Sequence, residues 1–154
     1  VADSSDIDAA LIAVLQNDAT LRAAMPDGVF FGLAGLSVAT GKNATRFVLV
    51  SIAENHDAAV FGGRAFESVL YLVQAVSING SPPPDSKGAA ARIDQLIEDV
   101  PITVAGYTWM SSAREQRVRE LERDDVDASI VWTHRGGLYR VEMSVNPASA
   151  LRAA

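Results

Sequence analysis

The segment FESVLYLVQAVSI, residues 66–78, constrains the fold more than any other stretch. Val69, Tyr71, Val73 and Ala75 point one way, and Leu70, Leu72, Gln74 and Val76 point the other. Period-two alternation belongs to a strand, and the β-branched and aromatic content favours strand over helix. A chain carrying this segment has to build a sheet around it. RFVLVSIAE (46–54) has the same period, with Val48, Val50 and Ile52 set against Phe47, Leu49, Ser51 and Ala53. It reads as a central strand with both faces partly covered. VFF (29–31) is a short strand, and ITVAGYTWMSS (102–112) is a strand interrupted at Gly106. DASIVWTHRGGLYRVEMSV reads as a hairpin. Ile130, Trp132 and His134 share a face, Gly136-Gly137 supplies a tight turn, and Leu138, Arg140, Glu142 and Ser144 then alternate with Tyr139, Val141, Met143 and Val145.

Two segments carry the helical period instead. Ile7, Ala10, Leu11, Val14 and Leu15 fall at i, i+3, i+4, i+7 and i+8, the spacing of one buried stripe. Ser5 can cap this helix, and Asp6 and Asp8 suit the positive end of its dipole. A kink and a short second helix follow, with Asp18 as the new cap, Leu21 and Met25 one turn apart, and a turn at Pro26-Asp27-Gly28. Ala89, Ile93, Leu96, Ile97 and Val100 make the other stripe, with Asp85 or Ser86 near its start and Pro101 at its end.

Three stretches read as long loops: 32–45, rich in glycine and small polar residues; 55–64, which holds Gly62-Gly63; and 79–88, where three consecutive prolines break the pattern. No break separates two complete cores. The expectation is therefore one α+β domain over 1–154, a mainly antiparallel sheet with two helices packed on one face. The tail NPASALRAA is loose or a short helix.

The 154 residues suffice for one core, and nearly half of them are apolar. The formal charge of -6 argues against a general nucleic-acid binder. No cysteine is present, so disulfides, thiolate metal sites and a cysteine nucleophile are excluded. No apolar stretch is long enough to span a bilayer, and the acidic start is unlike a secretory signal, so a soluble protein is expected.

The sequence holds no G-x-S-x-G, H-E-x-x-H, Walker A or G-x-G-x-x-G motif. His56, beside Glu54 and Asp57, is the raw material for acid–base work, although a solvated loop histidine is the plainer reading. His134 is read the same way. The acids of ELERDDVD (120–127) lack the spacing of a calcium loop. No catalytic residue, metal or cofactor is expected. The run AREQRVRELERDD (113–125) has helical composition but no apolar stripe, so a charged edge strand or loop competes with a helix. Its acids neutralise its arginines locally, which points to a subunit surface, with Arg114, Arg117, Arg119, Glu120, Glu122 and Arg123 as contact candidates.

The order of these elements resembles the tail terminator, or tail completion, proteins of long-tailed phages. The resemblance runs over about residues 7–145. It rests on the helix pair ALIAVLQNDATLRAAM, then DGVFFG, the strands RFVLVSIAEN and FESVLYLVQAV, the helix AAARIDQLIEDV, and WTHRGGLYRVEM at the end; the loop 32–45 fits it loosely. The resemblance implies a non-enzymatic virion protein, made in the host cytoplasm and located at the head-proximal end of the tail. There a ring, usually hexameric, ends polymerisation of the tail tube and meets the neck or head completion protein. DNA passes through the lumen without specific binding, and an acidic protein suits that passage. Phe61 is the aromatic expected to anchor a tube contact, with a core position under the loop as the alternative. A neck connector or stopper is the competing virion role. A small enzyme or ligand-binding domain using His56, Asp57 and Glu54 is the competing role of another class, and it requires those side chains to converge on a pocket. A soluble domain encoded by a host is the third alternative.

Overall fold

The computed structural model describes residues 2–60, 63–79 and 83–147. Among these residues three helices, where two were expected, α1 (Ser4–Gln16), α2 (Ala19–Ala24) and α3 (Pro83–Ile97), pack on a five-stranded sheet. The strands are β1 (Val29–Phe31), β2 (Arg46–Val60), β3 (Gly63–Ile78), β4 (Tyr107–Arg123) and β5 (Val131–Val145), in the spatial order β1-β2-β3-β5-β4. Only β1 and β2 run parallel as neighbours. The α+β expectation therefore holds.

Local chemistry explains the helices. Asp3 caps α1 by accepting from the Ser5 amide at 2.8 Å, and Asp18 caps α2 by accepting from the Leu21 amide at 2.8 Å. The α1 cap is Asp3, where Ser5 had been expected, because the helix starts one residue before Ser5. Ile7, Leu11 and Leu15 are buried, as are Ala89, Ile93 and Ile97 of α3. The segment 79–88 is mostly helical and not a long loop, because α3 begins at Pro83. Proline is tolerated in a first helical turn, where its missing N–H has no intrahelical partner. β3 and β4 run parallel with β5 inserted between them, so the chain needs a long crossover, and α3 supplies it.

The main core lies between the helices and one sheet face, built from Val48 and Val50, then Val69, Tyr71, Val73 and Ala75, then Tyr139, Val141 and Met143. Each of the chain's three tyrosines donates its hydroxyl to a carboxylate. Tyr71 and Tyr139 are cross-strand partners and reach into different helices, Tyr71 to Asp8 of α1 and Tyr139 to Asp94 of α3. Tyr107 donates to the buried Glu67 at 3.0 Å. Burial and the neighbouring acid push the Tyr71 and Tyr139 hydroxyls well above the usual range, so both stay protonated donors. The other sheet face, hereafter the open face, carries no helix. Ala44, Phe47 and Val76 close one end of it, with Phe30 and Trp132 against Phe47 edge-to-face at 5.8 and 6.2 Å.

A second loop expectation and the expected hairpin turn also fail. Residues 55–64 belong mostly to the arms of β2 and β3, which pair as far as Val60 and Gly63. Asn55, His56 and Asp57 are polar on both faces, which resembles a loop in sequence, but pairing to β3 satisfies their backbone groups. Gly136-Gly137 makes no turn either, since β5 runs through both residues. Their backbones lie opposite Gln74 and Val73 of β3, and the true β4–β5 connection is 124–130. Ile102 and Val104 are buried outside the sheet, and β4 starts only after Gly106, which has φ 81°.

Candidate interaction surface

The segment 32–45 lies between β1 and β2 and is closed by an internal bridge of Leu36 with Asn43. Its anchor is Asp27, a buried acid. Oδ1 accepts from the Ser37 hydroxyl at 2.5 Å, and Oδ2 accepts from the Thr45 and Arg46 amides, each at 2.8 Å. Ser37 in turn accepts from the Ala39 and Thr40 amides at 3.1 and 3.2 Å. Asp27 and Ser37 thus anchor the loop from within the chain. It holds Leu33, Leu36 and Val38 out in solvent beside Phe31.

Burial raises the Asp27 carboxyl, but the hydrogen bonds from Ser37, Thr45 and Arg46 outweigh it and hold the group below its ordinary value. The folded chain thus binds fewer protons here than the unfolded chain. Its contribution is complete above the unfolded value, about 3.9, and is lost as pH falls through the folded one. Asp27→Asn is expected to cost about 1–3 kcal/mol. It should also flatten the acid limb of stability measured by urea unfolding across pH. An unchanged acid limb would separate Asp27 from acid unfolding. Asp8, which burial raises, contributes with the opposite sign.

On the open face, Arg140 of β5 ties four strands together. Its guanidinium donates to Ser68 of β3 at 3.0 Å, to Glu54 of β2 at 2.9 Å, and to Glu115 of β4. Hydrogen bonds to Glu115 and Glu54 hold its pKa above the usual value. This clamp accounts for Glu54, which an acid–base reading had grouped with His56 and Asp57. His56 is exposed and meets Glu54 at 2.7 Å. Asp57 pairs with Glu67, in register with the helix-side strand positions, whereas His56 pairs with Ser68 on the open side. The three side chains therefore do not converge. An apolar cleft of about 340 Å³ lies between the N-terminal helices and β1 and is lined by Leu15, Leu21, Met25, Val29, Val38 and Val48, with no acid or histidine. Among the described residues no group of three or more His, Asp or Glu could hold a metal ion. Among the described residues no helix is long and apolar enough to cross a membrane.

The charged run 113–125 lies almost wholly in β4, an outer strand of the sheet, which settles helix against edge strand in favour of the strand. Arg114 pairs with Asp94 of α3, and Arg117 approaches the same carboxylate at 3.8 Å. Arg119 lies opposite Arg135 of β5, and Glu120 lies opposite His134. Glu122 meets His134 at 3.0 Å, and Arg123 donates to the Ala128 carbonyl at 3.1 Å. Local neutralisation along the sequence is not what forms. Alternation puts Arg114, Arg117, Arg119 and Arg123 on the helix side, in register with Tyr139, Gly137, Arg135 and Val131, and puts Glu120 and Glu122 on the open side. Phe61 and the tail from residue 148 lie outside the described residues.

These features define an α+β domain whose exposed chemistry is an edge strand, an apolar loop and a clamped sheet face. A chain in the virion of a native gene transfer agent particle shares this fold with a TM-score of 0.62, at 14% identity, over 92% of this chain and 96% of that one. A second solved protein, described only by a sequence label, shares it with a TM-score of 0.55, at 12% identity, over 95% and 97% of the two chains. At such identities the likeness is one of fold. No family model and no curated protein matches the sequence.

Proposed function

We propose that the chain is a structural, non-catalytic virion protein, and within that class a tail terminator. In this reading, copies close into a ring, most simply a hexamer, on the head-proximal end of a tail tube. The ring ends tube growth and joins the tail to the neck, and DNA passes through its lumen. The observation that carries the reading is the likeness to a gene transfer agent virion chain over nearly the whole of both chains. The edge strand β4 and the exposed loop at 33–38 add surfaces of the kind that assembly needs. The placement of Asp57 on the face opposite Glu54 and His56 weighs against the enzyme alternative.

The test is copy number per purified particle, by quantitative mass spectrometry scaled to the tube protein. About six copies are expected, as for one closed ring at a tail end. Absence from particles would overturn the virion reading. Binding to isolated tubes is expected, and binding to the portal instead would move the chain to the neck as a stopper.

A further inference from the structure

The two faces of β4 carry opposite charge. On the helix side, Arg119 and Arg123 stand with Arg135 of β5, and Arg119 and Arg135 are direct cross-strand partners; Arg117 beside them lies 3.8 Å from Asp94 of α3. Like charges directly opposite one another destabilise a sheet. Neither Arg119 nor Arg135 has a salt-bridge partner among the described residues. Leu121, 73% exposed between Arg119 and Arg123, gives this corner an apolar centre. In a chain of net charge -6, a concentrated cationic corner is fitted to an anionic partner.

The complementary surface is on the same strand. Glu120 and Glu122 point from the open side, and both are exposed. His134 positions the Glu122 carboxylate there. Because the two surfaces lie on opposite faces, one copy cannot satisfy itself. Antiparallel edge pairing of two β4 strands centred on the charged run would set arginines beside arginines, which disfavours a closed dimer by that route. The bulges at Met110 and Glu115 interrupt the edge as well.

We infer that the arginine corner of one copy (Arg117, Arg119, Arg123 and Arg135) docks on the acidic side of β4 of the next copy, head to tail. The inference rests on the ring reading and names the surfaces that would join the ring; the occupant is a second copy of this chain.

The test uses two full-length charge-reversed variants, R117E/R119E and E120R/E122R, whose folding is checked by circular dichroism. All four side chains are exposed, so the fold should survive. Oligomeric state is read by native mass spectrometry and sedimentation at low and high salt. Wild type should assemble, and more weakly at high salt. Each variant alone should stay monomeric, because one is acidic on both faces and the other basic on both. An equimolar mixture should assemble again, with the two variants alternating around the ring. If either variant assembles as wild type does, the interface lies elsewhere and the ring reading is untouched. If R117E/R119E assembles normally but loses binding to a double-stranded DNA fragment, the corner is a nucleic-acid contact and the proposal falls. If wild type is monomeric at every concentration, the proposal falls as well, and the particle copy number decides the ring reading separately.

Discussion

Gly136→Ala is expected to lower the free energy of unfolding by about 3 kcal/mol, the upper range for forcing volume into a packed interior. A Cβ at this position would lie 2.0 Å from the Val73 carbonyl oxygen and 2.6 Å from the Gln74 Cα. Both are backbone atoms of β3, so no side-chain rotation relieves the clash. β3 and β5 would have to separate at the middle of the sheet, where Tyr71 and Tyr139 pack side by side. Gly137→Ala is the control. Its Cβ would meet Arg114 Cδ and the Gln116 carbonyl oxygen, both at 2.9 Å. The arginine can move, but the Gln116 carbonyl oxygen belongs to the β4 backbone and has to shift a little, so the cost should be smaller than at Gly136, about 1–2 kcal/mol. Urea unfolding of the two variants checks the ranking. Equal, small losses would mean that β3 and β5 are not held as closely as described.

The second large effect is expected at Asp94. Its carboxylate accepts from the Tyr139 hydroxyl and from Arg114, and so ties α3 to both β5 and β4. Asp94→Ala leaves the Tyr139 hydroxyl without its acceptor at the base of the helix and should cost about 2 kcal/mol. Amide exchange in α3 should rise before exchange in β3, since local opening follows the weakest docking. Tyr139→Phe alone should cost less. The double variant should cost less than the sum of the two singles, with a coupling of about 1 kcal/mol. Strict additivity would show that the tyrosine–aspartate contact carries no stability.

Much of this architecture was legible in the sequence because it is periodic. The stripe Ile7, Leu11, Leu15 and the stripe Ala89, Ile93, Ile97 are buried as their spacing requires. The alternation of 66–78 marks β3, although the strand begins at Gly63. The failures have a common physical cause, which is that the deciding contact is remote in sequence. A Gly-Gly pair is a turn signal when read locally, whereas Gly136 answers to the backbone of β3, more than sixty positions away, and Gly137 to Arg114 and Gln116 of β4. The anchor of 32–45 is Asp27, before the loop starts, so the glycine and small polar content of the segment itself gives no sign of the buried acid that holds it. Asp57 stands one residue from His56, yet neighbours along a strand face opposite ways. The contact candidates in 113–125 were chosen for charge, and only the strand's alternation sorted them into two surfaces.

The bulges in β4 also bear on how the length of this strand can vary between relatives. Tyr107 and Trp109 face the helices, Met110 is left unpaired, Ser112 and Arg114 face the helices, Glu115 is left unpaired, and Arg117 resumes on the helix side. Each extra residue flips the odd–even phase, and two of them restore it. Met110 and Glu115 are thus the two positions where β4 can lose a residue and stay in frame, because such a deletion straightens a kink and leaves every other side chain facing as before. A deletion at Val118 would invert the remainder of the strand instead, turning arginines toward the open side and glutamates toward the helices. Length changes among functional relatives should therefore gather at these two positions.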